Sequence, residues 1–228
     1  MKVNTMNKTR SIALLLAGGL SLPAAAAELP QSAILHFTSS YKIPAVMTFK
    51  RSGNQYQVAA NINIPLFKIR FESAGVIEGK LLKPRYYRET RNGKLYSEAK
   101  FTGETVYYGK VGDKKTDTLS GVTMDLFTLA WQLAASDAEL PDNIHITNGK
   151  KIYPVGQLTQ IGTAPYKFSG GTTEITRYRV QHDDNTISYA FAPKFNNIPM
   201  QIGYLADDGK TYTLRLSKLT VDGKAVKP

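Results

Sequence analysis

Residues 33–111 read as strand after strand, and the same period of two returns beyond residue 143. Along residues 55–64, Tyr56, Val58, Ala60, Ile62 and Ile64 fall on one side, and Gln55, Gln57, Asn61 and Asn63 on the other. Successive side chains of a strand point to opposite faces, so the pattern specifies a sheet with one dry and one wet face. That is the antiparallel case. After Pro65 the alternation resumes, with Phe67, Ile69 and Phe71 inward and Lys68, Arg70 and Glu72 outward. Pro65 cannot donate to a ladder and marks a break or an edge. Asn92-Gly93 tolerates the positive φ that both central positions of a tight hairpin turn require, which predicts a hairpin between residues 85–91 and 94–101. In the last strand Tyr212, Leu214 and Leu216 share one phase and Leu219 and Val221 the other. That slip predicts a β-bulge near Ser217-Lys218.

One stretch breaks the rule. Residues 123–138, TMDLFTLAWQLAASDA, place Met124, Phe127, Trp131, Ala134 and Ala138 on one helical face, and Leu126, Leu129 and Leu133 widen it. Apolar residues nearly all round indicate a helix buried on more than one side. Thr123 is the expected N-cap, with Asp125 in the first turn, where a carboxylate favours the helix dipole. About a dozen strands and one inserted helix give the expected fold: mainly β, a large curved antiparallel sheet or incomplete β-barrel, with one buried α-helix (about 123–138) packed on its concave side.

The first 27 residues fall outside that fold. Lys2, Lys8 and Arg10 precede an apolar run over residues 12–22, and Ala25 and Ala27 occupy the positions of an A-x-A cleavage site. This is the pattern of a secretory signal peptide, too short for a membrane span. Residues 28–228 then form a single β-rich domain, expected to be exported and soluble, with no further apolar run long enough to cross a bilayer. Cysteine is absent, which removes disulfides, thiolate metal sites and a cysteine nucleophile together. Without its first 27 residues the chain keeps a net charge of +8. That surplus favours anionic partners such as lipid head groups, glycans or acidic proteins. Export and the dispersion of the basic residues along strands argue against nucleic acid.

Signatures of chemistry are sparse. No GxSxG, HExxH or phosphate-loop motif occurs, and no cofactor is implied. His36, His145 and His182 stand apart, so a three-histidine metal site would need convergence in space. His182-Asp183-Asp184-Asn185 falls where a turn is required, and Asp and Asn make such turns by local hydrogen bonds. Asp125 is read as a helix-start residue bonded to backbone amides rather than as a catalytic acid. Tyr86, Tyr87, Tyr107 and Tyr108 lie among Arg85, Arg88 and Lys110. Such interleaving can hold an anionic amphiphile or a glycan, although tyrosine is also an ordinary strand residue.

Three segments carry a family resemblance: FESAGVIEGKLLKPRYYRETRNGK (71–94), MDLFTLAWQLA (124–134) and ISYAFAPKFNNIPMQIGYLADDGKTYTLRLSKL (187–219). In this order they resemble the bacterial exported proteins of domain-of-unknown-function family 3108. The resemblance implies a β-rich envelope protein of Gram-negative bacteria, and it carries over no catalytic residue. The layout is also similar to half-barrel lipid and lipoprotein carriers, a likeness of fold alone.

The function expected from these readings is a non-enzymatic periplasmic binding or carrier module for an apolar or amphiphilic ligand. The ligand would lie between helix and concave sheet, against Phe127, Trp131, Tyr189 and Phe191. The alternative is a structural or protein-interaction component of the envelope with a filled core. A hydrolase assembled from dispersed residues is the third class, and it would need convergent titratable groups in a cleft.

Overall fold

The computed structural model describes residues 1, 28–183, 185–205 and 209–228. Apart from Met1, the expected signal peptide lies outside the described residues. The N-terminal half is a meander of eight strands: β1 (Ser32–Ser39), β2 (Pro44–Ser52), β3 (Gln55–Ile64), β4 (Phe67–Glu78), β5 (Leu81–Arg91), β6 (Lys94–Thr102), β7 (Thr105–Lys110) and β8 (Asp113–Thr118). A two-residue β9 (Thr123–Met124) leads into the helix α1 (Leu126–Ala135). The C-terminal half holds β10 (His145–Thr147), β11 (Ile152–Phe168), β12 (Gly171–His182), β13 (Asn185–Ala192), β14 (Ile198–Leu205), β15 (Thr211–Val221) and β16 (Lys224–Val226).

All of these strands belong to one sheet. β1 and β15 pair at its middle, the first meander runs outward from β1 to β8, and the second runs outward from β15 to β9. Every pairing is antiparallel except β9 with β10. The sheet is open and curved, and it is not closed into a barrel. Its two arms nonetheless meet across the concave side. Gly109 N donates to Gly149 O at 2.8 Å and Ser97 Oγ to Asn148 O at 3.3 Å, joining β6 and β7 to the β10–β11 turn. A Cβ on Gly149 would lie 2.7 Å from the Tyr87 ring, so a bare backbone is what permits this approach.

Turn chemistry accounts for much of the register. Asn92 and Gly93 take φ of 47° and 78° between β5 and β6, as their pairing requires. Pro65 and Leu66 form the tight turn between β3 and β4, with Leu66 at φ 65°. The bulge in the last strand falls at Ser217, where Phe37 faces Leu216 and His36 faces Lys218. At Gly75 the β4–β5 ladder slips, and an added Cβ would collide with the Lys83 carbonyl at 1.9 Å.

The helix is shorter than its sequence pattern suggests. Thr123 and Met124 pair with His145 and Ile146 as strand, and Asp125 rather than Thr123 is the N-cap. Asp125 Oδ1 accepts from Phe127 N at 2.9 Å and Thr128 N at 3.1 Å, and Oδ2 accepts from Thr128 Oγ1 at 2.5 Å. The C-terminus ends earlier because Asp137 and Ala138 both adopt left-handed backbone, φ 54° and 63°. Residues 127–135 are buried without interruption. Trp131 is fully buried and stacks on Phe49 of β3's neighbour β2, with ring centroids 4.4 Å apart.

Polar contacts fix the helix to both arms. Gln132 accepts from Leu82 N at 2.8 Å and donates to Lys80 O at 3.2 Å, while Tyr189 OH donates to Leu126 O at 2.8 Å. Gln132→Leu leaves the Leu82 N–H buried and unsatisfied and should cost about 1–3 kcal/mol. Urea unfolding should show it as a lower midpoint at unchanged slope. No helix among the described residues is long and apolar enough to cross a membrane.

Candidate functional site

The N-terminal end of α1 does not meet the sheet completely. A cavity of about 190 Å³ remains between Asp125–Phe127, the β4–β5 arm and the β10–β11 turn. Phe127, Ile146 and Ile187 form buried wall, with Ile69 and Phe71 beside them. Arg91, Asn148, Lys150, His182, Tyr204 and Leu205 are more exposed and surround the mouth. Larger depressions lie elsewhere, of about 410, 760 and 600 Å³, but none is bordered by the helix or by a buried carboxylate. Chemistry therefore singles out the smaller cavity.

Two buried acids touch it. Asp125 is 3 % exposed, and burial raises its carboxyl above the usual range despite the hydrogen bonds from Thr128 and Phe127. Both its oxygens are engaged in capping, which makes it a poor nucleophile and a strong anchor. Because its folded pKa is raised, the native state holds this proton more tightly than the unfolded chain does. Its contribution to stability thus falls as pH rises from 3.8 through the folded value. Asp125→Asn keeps an acceptor for the helix amides and removes that pH dependence. Asp125→Ala loses the cap and should cost about 1–2 kcal/mol. Denaturant titrations at a series of pH values check both.

Glu89, 3 % exposed, accepts from Arg91 Nε at 2.6 Å and from Ser97 Oγ at 3.3 Å. His182 closes β12, and Asp183 at φ 48° makes the turn into β13. Burial lowers the imidazole's pKa, partly countered by Asp183, so the ring favours its neutral form. Among the described residues no three His, Asp or Glu side chains gather to hold a metal.

The structure separates the four residues expected at the ligand. Phe127 borders the cavity. Trp131, Tyr189 and Phe191 lie together in packed core, Tyr189 on Phe191 at 6.0 Å between centroids. The tyrosine-rich strands split by face: Tyr87 and Tyr108 are buried inward, and Tyr87 lines the cavity, whereas Tyr86 bonds outward to Glu72 at 2.8 Å. Sequence reasoning did not reach Arg91, Ile146 or Lys150, which come to the cavity from three separate turns or strands. The signal it had was the alternation that put Ile69 and Phe71 inward.

The family assignment rests on residues 38–216, which match the model described as "Protein of unknown function (DUF3108)". The chain belongs to the DUF3108 family. The matched span runs from the end of β1 into β15, and so includes the helix and every strand around the cavity. No curated protein matches this DUF3108 chain.

Proposed function

We propose that this DUF3108 protein is a non-enzymatic periplasmic binding or carrier module for an apolar or amphiphilic ligand, whose apolar end enters the cavity at the start of α1. The observation that carries the reading is that cavity: it has apolar walls, it opens beside polar side chains, and the helix that bounds it is pinned by Asp125, Gln132 and Tyr189. A volume of about 190 Å³ slightly exceeds the ~150 Å³ that accommodates benzene. It is below the ~300–1,000 Å³ of pockets for drug-sized molecules. One ring or the end of one acyl chain is therefore the part enclosed. The engagement of Asp125 and Glu89 in structural hydrogen bonds supports binding over catalysis.

Native mass spectrometry of protein purified from cells without detergent tests the reading. An added small-molecule mass that disappears on denaturation supports it. A clean apo mass, with no uptake of added alkyl compounds, counts against it. The second reading, a structural or protein-interaction component of the envelope, is favoured by the filled core around Trp131, Tyr189 and Phe191. Cross-linking in cells would then capture a protein partner while no small molecule is found.

A further inference from the structure

Beside the cavity mouth the β5–β6 ladder slips. Glu89 faces Ser97 and Thr90 faces Leu95, which leaves Tyr96 as the extra residue of a bulge. Bulges re-aim side chains and recur next to binding sites. Here three cations gather on the ring of Tyr96: Arg91 with its guanidinium carbon 3.5 Å from the centroid, Lys110 Nζ at 5.5 Å and Lys150 Nζ at 6.0 Å. Arg91 and Lys150 also line the cavity. Glu89 holds Arg91 through Nε, so the guanidinium's terminal nitrogens keep their donors, with no hydrogen bond among the described residues. Lys110 makes no ion pair among the described residues either.

Cation–π attraction orients these groups, and Glu89 engages only the Nε side of Arg91, so the donors of the guanidinium's terminal nitrogens and of Lys110 remain for a further anion. An oxyanion between Arg91 and Lys110 would take charge-assisted hydrogen bonds from both. We infer that the ligand is a single-chain amphiphile with an anionic head, a carboxylate or phosphate monoester, held at the Arg91–Tyr96–Lys110 cluster while its chain enters the cavity. This rests on the cavity being a ligand site. The enclosed volume, enough for the end of one chain, sets the limit to a single chain.

Calorimetric titration of the full protein at low salt tests it, with decanoate, decyl phosphate, decanol, decyltrimethylammonium and inorganic phosphate as probes. Decanoate and decyl phosphate should bind at least tenfold more tightly than decanol, and decyltrimethylammonium more weakly than decanol. Octanoate should bind about 15-fold more weakly than decanoate, at roughly fourfold per methylene. Added salt should erode the advantage of the anions. Arg91→Gln and Lys110→Gln should each weaken decanoate five- to tenfold and leave decanol within twofold. Lys110 is exposed, so its variant separates a lost head contact from a disturbed fold.

Decanol binding as tightly as decanoate would overturn the anionic head and leave the cavity reading standing. Inorganic phosphate binding as tightly as decyl phosphate would overturn the amphiphile in favour of a free anion. Failure of every alkyl probe would overturn both this inference and the reading on which it rests.

Discussion

Trp131→Ala should lower the free energy of unfolding by about 3–5 kcal/mol, a large share of the ~5–15 kcal/mol that holds a typical domain folded. Trp131 is wholly enclosed, stacked on Phe49 and placed where the helix meets the middle of the curved sheet. Neighbours there are strands of a continuous ladder that cannot collapse into the vacated space, so transfer and cavity costs add. Trp131→Phe should be much milder. The indole N–H has no hydrogen-bond partner among the described residues, so its removal sacrifices no bond and relieves a desolvation cost. Urea unfolding followed by far-ultraviolet circular dichroism measures both variants. A loss under about 1 kcal/mol for the alanine variant would contradict a filled interface at this face.

Ile146→Phe should abolish most ligand affinity without unfolding the protein. Ile146 is 5 % exposed on β10 and faces the cavity beside Phe127. A phenyl ring there claims space that the ligand's apolar end would occupy. Excluding two or three methylenes at about 0.8 kcal/mol each corresponds to a loss of roughly 15- to 60-fold in affinity. Overpacking costs at most about 1–3 kcal/mol, and the open space beside the residue moderates it. Calorimetry with decanoate reads the affinity, and circular dichroism verifies the helix. Unchanged affinity in a folded variant would place the ligand elsewhere.

The architecture was legible because a period of two is a local signal. Tyr56, Val58, Ala60 and Ile62 do face the core, Asn92-Gly93 does make its turn, and the phase change after Leu216 does mark a bulge. The helix ends were less so. Thr123 and Asp125 are both good caps, and the choice between them depends on whether residues 123–124 find a strand partner. His145 and Ile146, some twenty residues on, supply it. Strand number also exceeded the expected dozen, because short strands such as β9, β10 and β16 are defined by their partners more than by their own pattern.

The site was legible only in outline. Burial of Trp131, Tyr189 and Phe191 follows from apolar character, but whether such residues face a cavity or one another is settled by sheet curvature. Phe127 meets the cavity because it lies in the first turn of the helix, with its ring 5.4 Å from that of Phe71 on β4, and both line the same space. Arg91, Tyr96, Lys110 and Lys150 belong to a hairpin, a bulge, a strand end and a turn. Their convergence is a product of topology: the contact of Gly109 with Gly149 draws the two arms of the sheet together.

Crystals of the protein grown with 10-bromodecanoic acid test the central claim most directly, because bromine reports the position of the chain end by anomalous scattering. The account predicts a bromine peak inside the cavity, against Phe127, Ile69 and Ile146, with the carboxylate near Arg91 and Lys110. A peak on the outer face of the sheet, or a cavity that stays empty at saturating ligand, would contradict it.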